Sequence, residues 1–471
     1  MSPEIVRPAD PALAEALATI FPADRLSATV PDRIAYARDC WPMGQFWARQ
    51  GVFPHPPDAI VWPESMGEIV ALLRLVNERR FPVIPMGAGS GVCGGTLAHR
   101  GGVILDLKRM KRVRHLDEAS LLVTAEAGII GQHLEEWLNG RGYTMGHFPS
   151  SIYCSTFGGW IATRSAGQLS TKYGKIEDMV MGIEGVLPDG TVFASKVSPR
   201  TAAGPRLDQL LVGSEGTLAV ITAATARVRP LPEARRFAAF VYKDVPAGLE
   251  TIRKIMRKGL DPAAVRLYDE TDTAISLSAL GFDATGCLLV LVFEDVAGLC
   301  DVKADMADGI CRESGGEALG PGPGEHWWKH RYDISYKQSF IYHSGMMVDT
   351  IEVATTWSSL GRLYDAMRAA IGKRMTCLAH FSHVYPEGGS IYFTFVGPSG
   401  AEGDVETYRA VWNDAMNACV KMGATITHHH GVGLLKAPWM KDEHGPLIAM
   451  YVAVKRALDP NNILNPGKLV P

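Results

Sequence analysis

The sequence predicts an α+β chain of two domains, on three observations. At 471 residues it is too long for one compact core. Up to about residue 230, short strand-like runs alternate with glycine-rich loops. Beyond that point a β-α-β-β-α-β order is met twice, the pattern of an antiparallel sheet covered by helices on one face. Pro230-Leu-Pro232 marks the junction. The expected divisions are an N-terminal helical segment (1–54), a first domain (55–230), a second (231–425) and a C-terminal segment (426–471) that returns to the first.

The elements follow in order. Ala59–Trp62 is a short strand stopped by Pro63, and Ile69, Val70, Leu72, Leu73, Leu75 and Val76 recur at helical spacing. Phe81–Pro85 is the returning strand. Gly102–Leu107 and Leu121–Ala127 are strands, and Gly131–Gly140 is a short amphipathic helix. Met179–Leu187 leads into Pro188-Asp-Gly190, a hairpin turn, and Leu218–Ala224 is a further apolar run. In the second domain, strands are expected at 237–242, 265–268, 286–293, 345–353, 376–384 and 390–395. Helices are expected over 247–258, up to about 313, near 358–371 and over 403–422.

A formal net charge of -3 gives no basic footprint for nucleic acid. The eight cysteines form no C-x-x-C pair, so neither a zinc knuckle nor a redox dithiol is expected, and reduced thiols are. No run of eighteen apolar residues would span a membrane. The first twenty residues lack a basic leader region and the final Asn-Pro-Gly-Lys-Leu-Val-Pro471 is no peroxisomal address, so a cytoplasmic location is expected.

Gly87-Ala-Gly-Ser-Gly91 follows a strand but precedes another strand. A dinucleotide loop of the Rossmann type opens a helix, so any phosphate here would sit in a nest of backbone amides instead. A second glycine-rich stretch spans 146–174 and a third is Gly213-Ser-Glu-Gly-Thr217.

Pro85–Gly91, Ser155-Thr-Phe-Gly-Gly159 with Thr163, Tyr173-Gly174 and Gly213–Thr217 together resemble the vanillyl-alcohol-oxidase (PCMH-type) superfamily of FAD proteins, from about residue 55 to 471. The resemblance implies a two-subdomain PCMH-type FAD-binding domain and an antiparallel-sheet substrate, or cap, domain. It implies a pyrophosphate wrapped by Met86, Gly87, Ala88, Gly89, Ser90 and Gly91. Pro149, Ser150, Ser155, Thr156, Gly158, Gly159, Ala162 and Thr163 would lie along the flavin and ribityl chain, and Glu215, Gly216 and Ile221 at adenine and ribose. Some members tether the flavin to a histidine of the first loop. None lies between Pro85 and Leu97, and Cys154, where doubly tethered members attach the ring, is read as packed, so FAD is expected to bind non-covalently.

Within that superfamily the chain resembles the alkyldihydroxyacetonephosphate synthase group, through Gly146–Ser151, Gly158–Ser165, Tyr173–Asp178, Val265–Asp269, Ser390–Phe393 and His428-His-His-Gly-Val-Gly433. Neighbouring imidazoles titrate near neutrality and can pass a proton or hold an anion. In extended backbone adjacent side chains alternate, so one or two of His428, His429 and His430 would face the flavin. Tyr392 matches a proton-transferring tyrosine. Arg266 matches an arginine that could grip a carboxylate or phosphate. D-2-hydroxy-acid dehydrogenases of the superfamily often hold a divalent metal with two histidines and a glutamate. His383, Tyr392 and His429 stand at those positions, which leaves one ligand of three, so no metal is expected. His380 and His383 are read as lining the site or packed. The synthases also carry an arginine where Tyr336-Lys-Gln-Ser339 has Gln338.

These features point to an FAD-dependent oxidoreductase acting on a CH–OH group beside a carboxylate or phosphate. The alternative is a non-redox, C–O bond-forming synthase. The partner expected is a small-molecule substrate. The electron acceptor is left unassigned and a homodimer left open.

Overall fold

The computed structural model describes residues 6–278, 285–333, 338–400 and 403–470. The first domain holds two small sheets. In one, Ala59–Val61, Val103–Asp106 and Val83–Met86 run parallel, with Leu26–Ser27 antiparallel at the edge. The helix Met66–Arg79 starts at Ser65, which exchanges capping bonds with Glu68, and buries Ile69, Leu72, Leu73 and Val76. The other sheet is antiparallel, in the order Val113–Asp117, Leu122–Glu126, Val220–Arg227, Val180–Val186, Val192–Ala194. Its final hairpin turns at Gly190, whose φ of +87° suits a residue without a side chain. These sheets stand where the resemblance implies two subdomains.

The N-terminal segment is more than helical. Leu26–Ser27 joins the first sheet between the helices Pro11–Leu17 and Val30–Ala35. The helix Met43–Arg49 reaches the second domain instead, where Phe46 packs edge-on against Tyr342 and Tyr408.

Beyond Pro232, seven strands form one antiparallel sheet: Glu317–Gly320, Ala234–Tyr242, Cys287–Asp295, Ala264–Tyr268, Thr376–Val384, Gly388–Pro398, Met346–Thr356. Each half repeats the β-α-β-β-α-β order, with the last strand of the second half reduced to a bridge between Ala354 and Thr425. The halves join where Leu267 pairs with Phe381 and Tyr268 with His380. The helices Val245–Arg257, Ala297–Glu313, Trp357–Gly372 and Asp404–Lys421 share a core with Leu289, Leu291, Phe381 and Phe393 on one face of this sheet. Strand side chains alternate; on the opposite face Ala239, Val241, Leu288, Val290 and Val292 pack into the first domain's core, and Arg266, His380 and Tyr392 lie on that same face.

The helix Gly322–His330 was not legible, because Gly322-Pro-Gly324 reads as a breaker. In the fold Pro323 occupies the first turn, where its missing N–H is no loss. The C-terminal segment bonds to the strand Val83–Met86: the Val83 amide donates to the Ile463 carbonyl (2.8 Å) and the Asn465 amide to the Val83 carbonyl (2.8 Å). No helix among the described residues is long and apolar enough to cross a membrane.

Candidate active site

One row of the large sheet carries most of the chemistry. Glu352 pairs with Tyr392, Tyr392 with His380, and His380 with Tyr268, across four neighbouring strands. Arg266, two residues before Tyr268, joins the same face. Its Nη2 donates to His380 Nε2 at 2.6 Å. A guanidinium only donates, so Nε2 accepts and the ring proton sits on Nδ1, 3.3 Å from Asp272. Burial, then the Arg266 charge, hold the His380 pKa at about 4, so the ring is neutral. The described partners of Arg266 are all uncharged: His380, the Tyr268 hydroxyl (3.0 Å) and the faces of Tyr268 and Trp327. Tyr392 stacks on His380 with ring centroids 4.9 Å apart, and burial pushes its phenol up to about 12.

The histidine triplet hangs from a buried carboxylate. Glu352 accepts from the Thr427 hydroxyl (2.6 Å), the His429 amide (3.3 Å), the His430 amide (3.0 Å), the His428 amide and Lys436 Nζ (2.7 Å). Burial alone would raise its pKa. The Lys436 charge and these donors outweigh that and hold it well below the usual carboxylate range. Glu215 anchors the next stretch of the loop, accepting from the Val432 (2.6 Å) and Gly433 (2.8 Å) amides, and its burial raises its pKa. The Glu215 carboxylate, expected at the nucleotide, is therefore engaged by the histidine loop.

This wrapping corrects the expectation that the three rings alternate. The loop is not a strand; its amides converge on Glu352 and the rings gather together. His428 and His429 centroids are 5.2 Å apart, and His429 and His430 4.6 Å. Tyr392 stacks on His429 (6.2 Å) and meets His430 edge-on (5.5 Å). Burial lowers the pKa of all three, to about 3 for His428 and about 4 for His430, so the rings are neutral.

His383 arrives by a β-bulge. The register slips between Ser382 and Val384, and His383 takes a left-handed φ of +52°. A bulge re-aims a side chain, and here it turns the ring against His428 (5.2 Å) and His429 (4.9 Å). Sequence spacing alone could not show this. Glu352 and Lys436 were missed as well; the one signal was two carboxylates, Asp349 and Glu352, inside one strand.

The glycine loops meet beside this face. Among the described residues, the amides of Ala88, Gly89, Ser90, Gly91 and Val92 donate no backbone hydrogen bond, and Gly89 has φ +67°. Unspent amides in a partly exposed loop make a nest for an anion. A side chain on Gly87 would collide with Thr156, which brings the first loop against the second. The Gly213 amide donates to the Ile161 carbonyl (2.9 Å) and the Glu215 amide to the Ala162 carbonyl (2.9 Å), so the third loop lies on the helix Phe157–Thr163. Gly216 closes on Pro85, and Ile221 is buried on the neighbouring strand. Met86, Pro149, Ser150, Ser155, Gly158, Gly159 and Thr163 lie on these same segments. The residues present fit a dinucleotide with its pyrophosphate at 87–91. Tyr336 and Lys337, with the side chain of Gln338, lie outside the described residues, so the synthase-arginine comparison rests on sequence.

Comparison with known proteins agrees with the geometry. The C-terminal domain of FAD linked oxidases matches residues 231–469, and an FAD binding domain matches 57–195. The chain belongs to the FAD linked oxidase family. FAD is accordingly its cofactor. It is 31% identical over 470 residues to an alkyldihydroxyacetonephosphate synthase of Trypanosoma brucei brucei, covering 92% of this chain and 76% of that one. It is 29% identical over 448 residues to glycolate oxidase subunit GlcD of Bacillus subtilis (strain 168), covering 93% and 92%. A solved alkyldihydroxyacetonephosphate synthase superposes with TM-score 0.82 at 28% identity, over 98% of this chain and 86% of the other. p-Cresol methylhydroxylase shares the fold, with TM-score 0.80 at 17% identity, over 98% and 96%.

Proposed function

We propose that this FAD linked oxidase holds FAD non-covalently and oxidises a CH–OH group on a small substrate that carries a carboxylate or phosphate. Bound FAD supplies the acceptor for the two electrons that leave as hydride. The observation that carries the reading is Arg266: a guanidinium on the site face whose described partners are all neutral. Among the described residues no carboxylate pairs directly with this cation; Asp272 meets it only through His380, so the guanidinium can grip an anionic ligand by paired N–H bonds.

With the anionic group on Arg266, the hydroxyl lies toward Tyr392 and the imidazoles. Tyr392 stays protonated and donates to the substrate oxygen. A neutral ring of His429 or His430 receives the hydroxyl proton as the hydride leaves, giving the carbonyl product. His430 suits that role: its Nδ1 is buried without a hydrogen-bond partner, 3.8 Å from Glu352, whose charge would stabilise the imidazolium.

Kinship with glycolate oxidase subunit GlcD supports a hydroxy-acid substrate. Kinship with the synthases supports a second reading, non-redox ether formation. Anaerobic addition of 2-hydroxy acids and polyol phosphates should bleach the flavin band. No bleaching, together with ether product from acyl-dihydroxyacetone phosphate and a long alcohol, would select the second.

A further inference from the structure

We propose that His326 and His330 form an exposed two-imidazole site for one divalent transition-metal ion of the copper(II) or nickel(II) type. The pair lies on the helix Gly322–His330, away from the histidine loop, and does not depend on the oxidation proposed above.

Residues four apart on a helix share a face, so a His-x-x-x-His spacing can present two ligands to one ion. Here the two rings meet: their centroids are 4.4 Å apart and their planes 32° from parallel. That separation discriminates between ions. With metal–nitrogen bonds of about 2.0 Å, each ring centroid would lie about 3.2 Å from the ion. Two rings at the tetrahedral angle would then be about 5.2 Å apart, and two at a right angle about 4.5 Å. The observed spacing fits neighbouring corners of a square, the arrangement that suits copper(II) and nickel(II). Both side chains are exposed, and rotation about χ2 turns one nitrogen of each ring to a shared ion. Water would complete the square.

The surroundings favour a cation. Asp333 Oδ2 lies 2.9 Å from His330 Nδ1. The carboxylate accepts the Nδ1 proton, which fixes the tautomer and leaves the Nε2 lone pair for a metal. Carboxylates make this outer contact to histidine ligands in metal sites. His330 is the last residue of its helix and His326 lies one turn before it, where unsatisfied carbonyls form the negative end of the helix dipole. Lys329 is the charge that opposes an ion here, and Asp333 offsets it. The helix is also held in place: the Arg235 and Arg331 guanidiniums each lie 3.9 Å from the Trp328 ring. The ligand pair is therefore displayed on a fixed element, which lowers the ordering cost of binding.

The test uses the full-length, flavin-loaded protein without an affinity tag. On immobilised copper(II), wild-type protein should be retained and released by imidazole. The half-buried imidazoles of the candidate site are beyond the reach of an ion fixed to a bead, so retention reports the exposed pair. His326→Gln and His330→Gln should each abolish it. His133→Gln, at a lone exposed histidine on the helix Gly131–Asn139, should change nothing. In solution, copper(II) bound beside Trp327 and Trp328 should quench tryptophan emission, and the part of the quenching lost in the double variant gives the affinity. Either single variant should weaken it by about 100-fold or more, and Asp333→Asn by about 10-fold, the scale of an outer-contact loss. Copper(II) should bind most tightly, and magnesium should not compete. An unchanged flavin spectrum and melting temperature without metal show that the variants fold. Wild-type protein that flows through, or a His326→Gln/His330→Gln double variant retained as strongly as wild type, would overturn the site. Neither result bears on flavin bleaching, so the site and the oxidation fail independently.

Discussion

Glu352 and Tyr392 are register partners on adjacent antiparallel strands, so the carboxylate that folds the histidine loop is built beside the phenol the loop surrounds. The sheet thereby sets the distance between proton donor and imidazoles without help from a flexible element. Glu352→Gln should break this. The amide cannot satisfy the donors that converge on the carboxylate, and Lys436 is left buried without its counter-charge. Breaking a buried pair by removing one partner costs about 3–5 kcal/mol. Denaturant melts should show a loss of that order, and flavin reduction should slow in protein that still binds FAD. Full activity at unchanged stability would show that the loop does not depend on Glu352.

Arg266→Gln removes the charge proposed to hold the substrate's anionic group. Losing one partner of a buried, hydrogen-bonded charge pair costs about 2–5 kcal/mol, so KM should rise about 30-fold or more with a smaller change in kcat. Arg266→Lys should recover only part, because a point charge lacks the fork. An unchanged KM for every anionic substrate that bleaches the flavin would remove Arg266 from the binding role.

Tyr392→Phe keeps the ring stacked on His380 and deletes the hydroxyl. If that hydroxyl donates to the reacting oxygen, anaerobic flavin reduction should slow by about 100-fold or more, the usual scale of general acid–base catalysis. FAD affinity should stay as it was. A rate within a factor of two of wild type would make Tyr392 a packing residue.

Much of this was legible in the sequence for identifiable reasons. The helix Met66–Arg79 announced itself by six apolar residues, Ile69 to Val76, recurring at helical spacing, a local signal. The twofold β-α-β-β-α-β order was legible because each strand is apolar on the helix-covered side. His383 and Glu352 were not, for different reasons. A bulge changes which face a residue presents without changing any residue type nearby. The role of Glu352 depends on amides about eighty positions away, and backbone amides carry no sequence signature. The second duty of Glu215 was hidden in the same way.

Lys468 gives a test of the packing that joins the C-terminal segment to the glycine loops. It is 3% exposed, and its ammonium donates to the Leu97 carbonyl at 2.8 Å. Burial lowers its pKa to about 8 from 10.5, against the opposing charges of Glu215 and Asp39. Between those values the unfolded chain holds the proton and the folded chain does not, so unfolding free energy rises with pH across that window. Below pH 8 both states carry the proton, and the burial cost is complete and constant. Lys468→Met has no such group. The stability of wild type relative to this variant should therefore climb by up to about 3 kcal/mol from pH 8 to 10.5, at about 1.4 kcal/mol per pH unit. Denaturant melts at several pH values measure it. Parallel curves for the two proteins would mean that Lys468 reaches solvent in the folded state, and that the segment closes less tightly on Leu97 than its hydrogen bond implies.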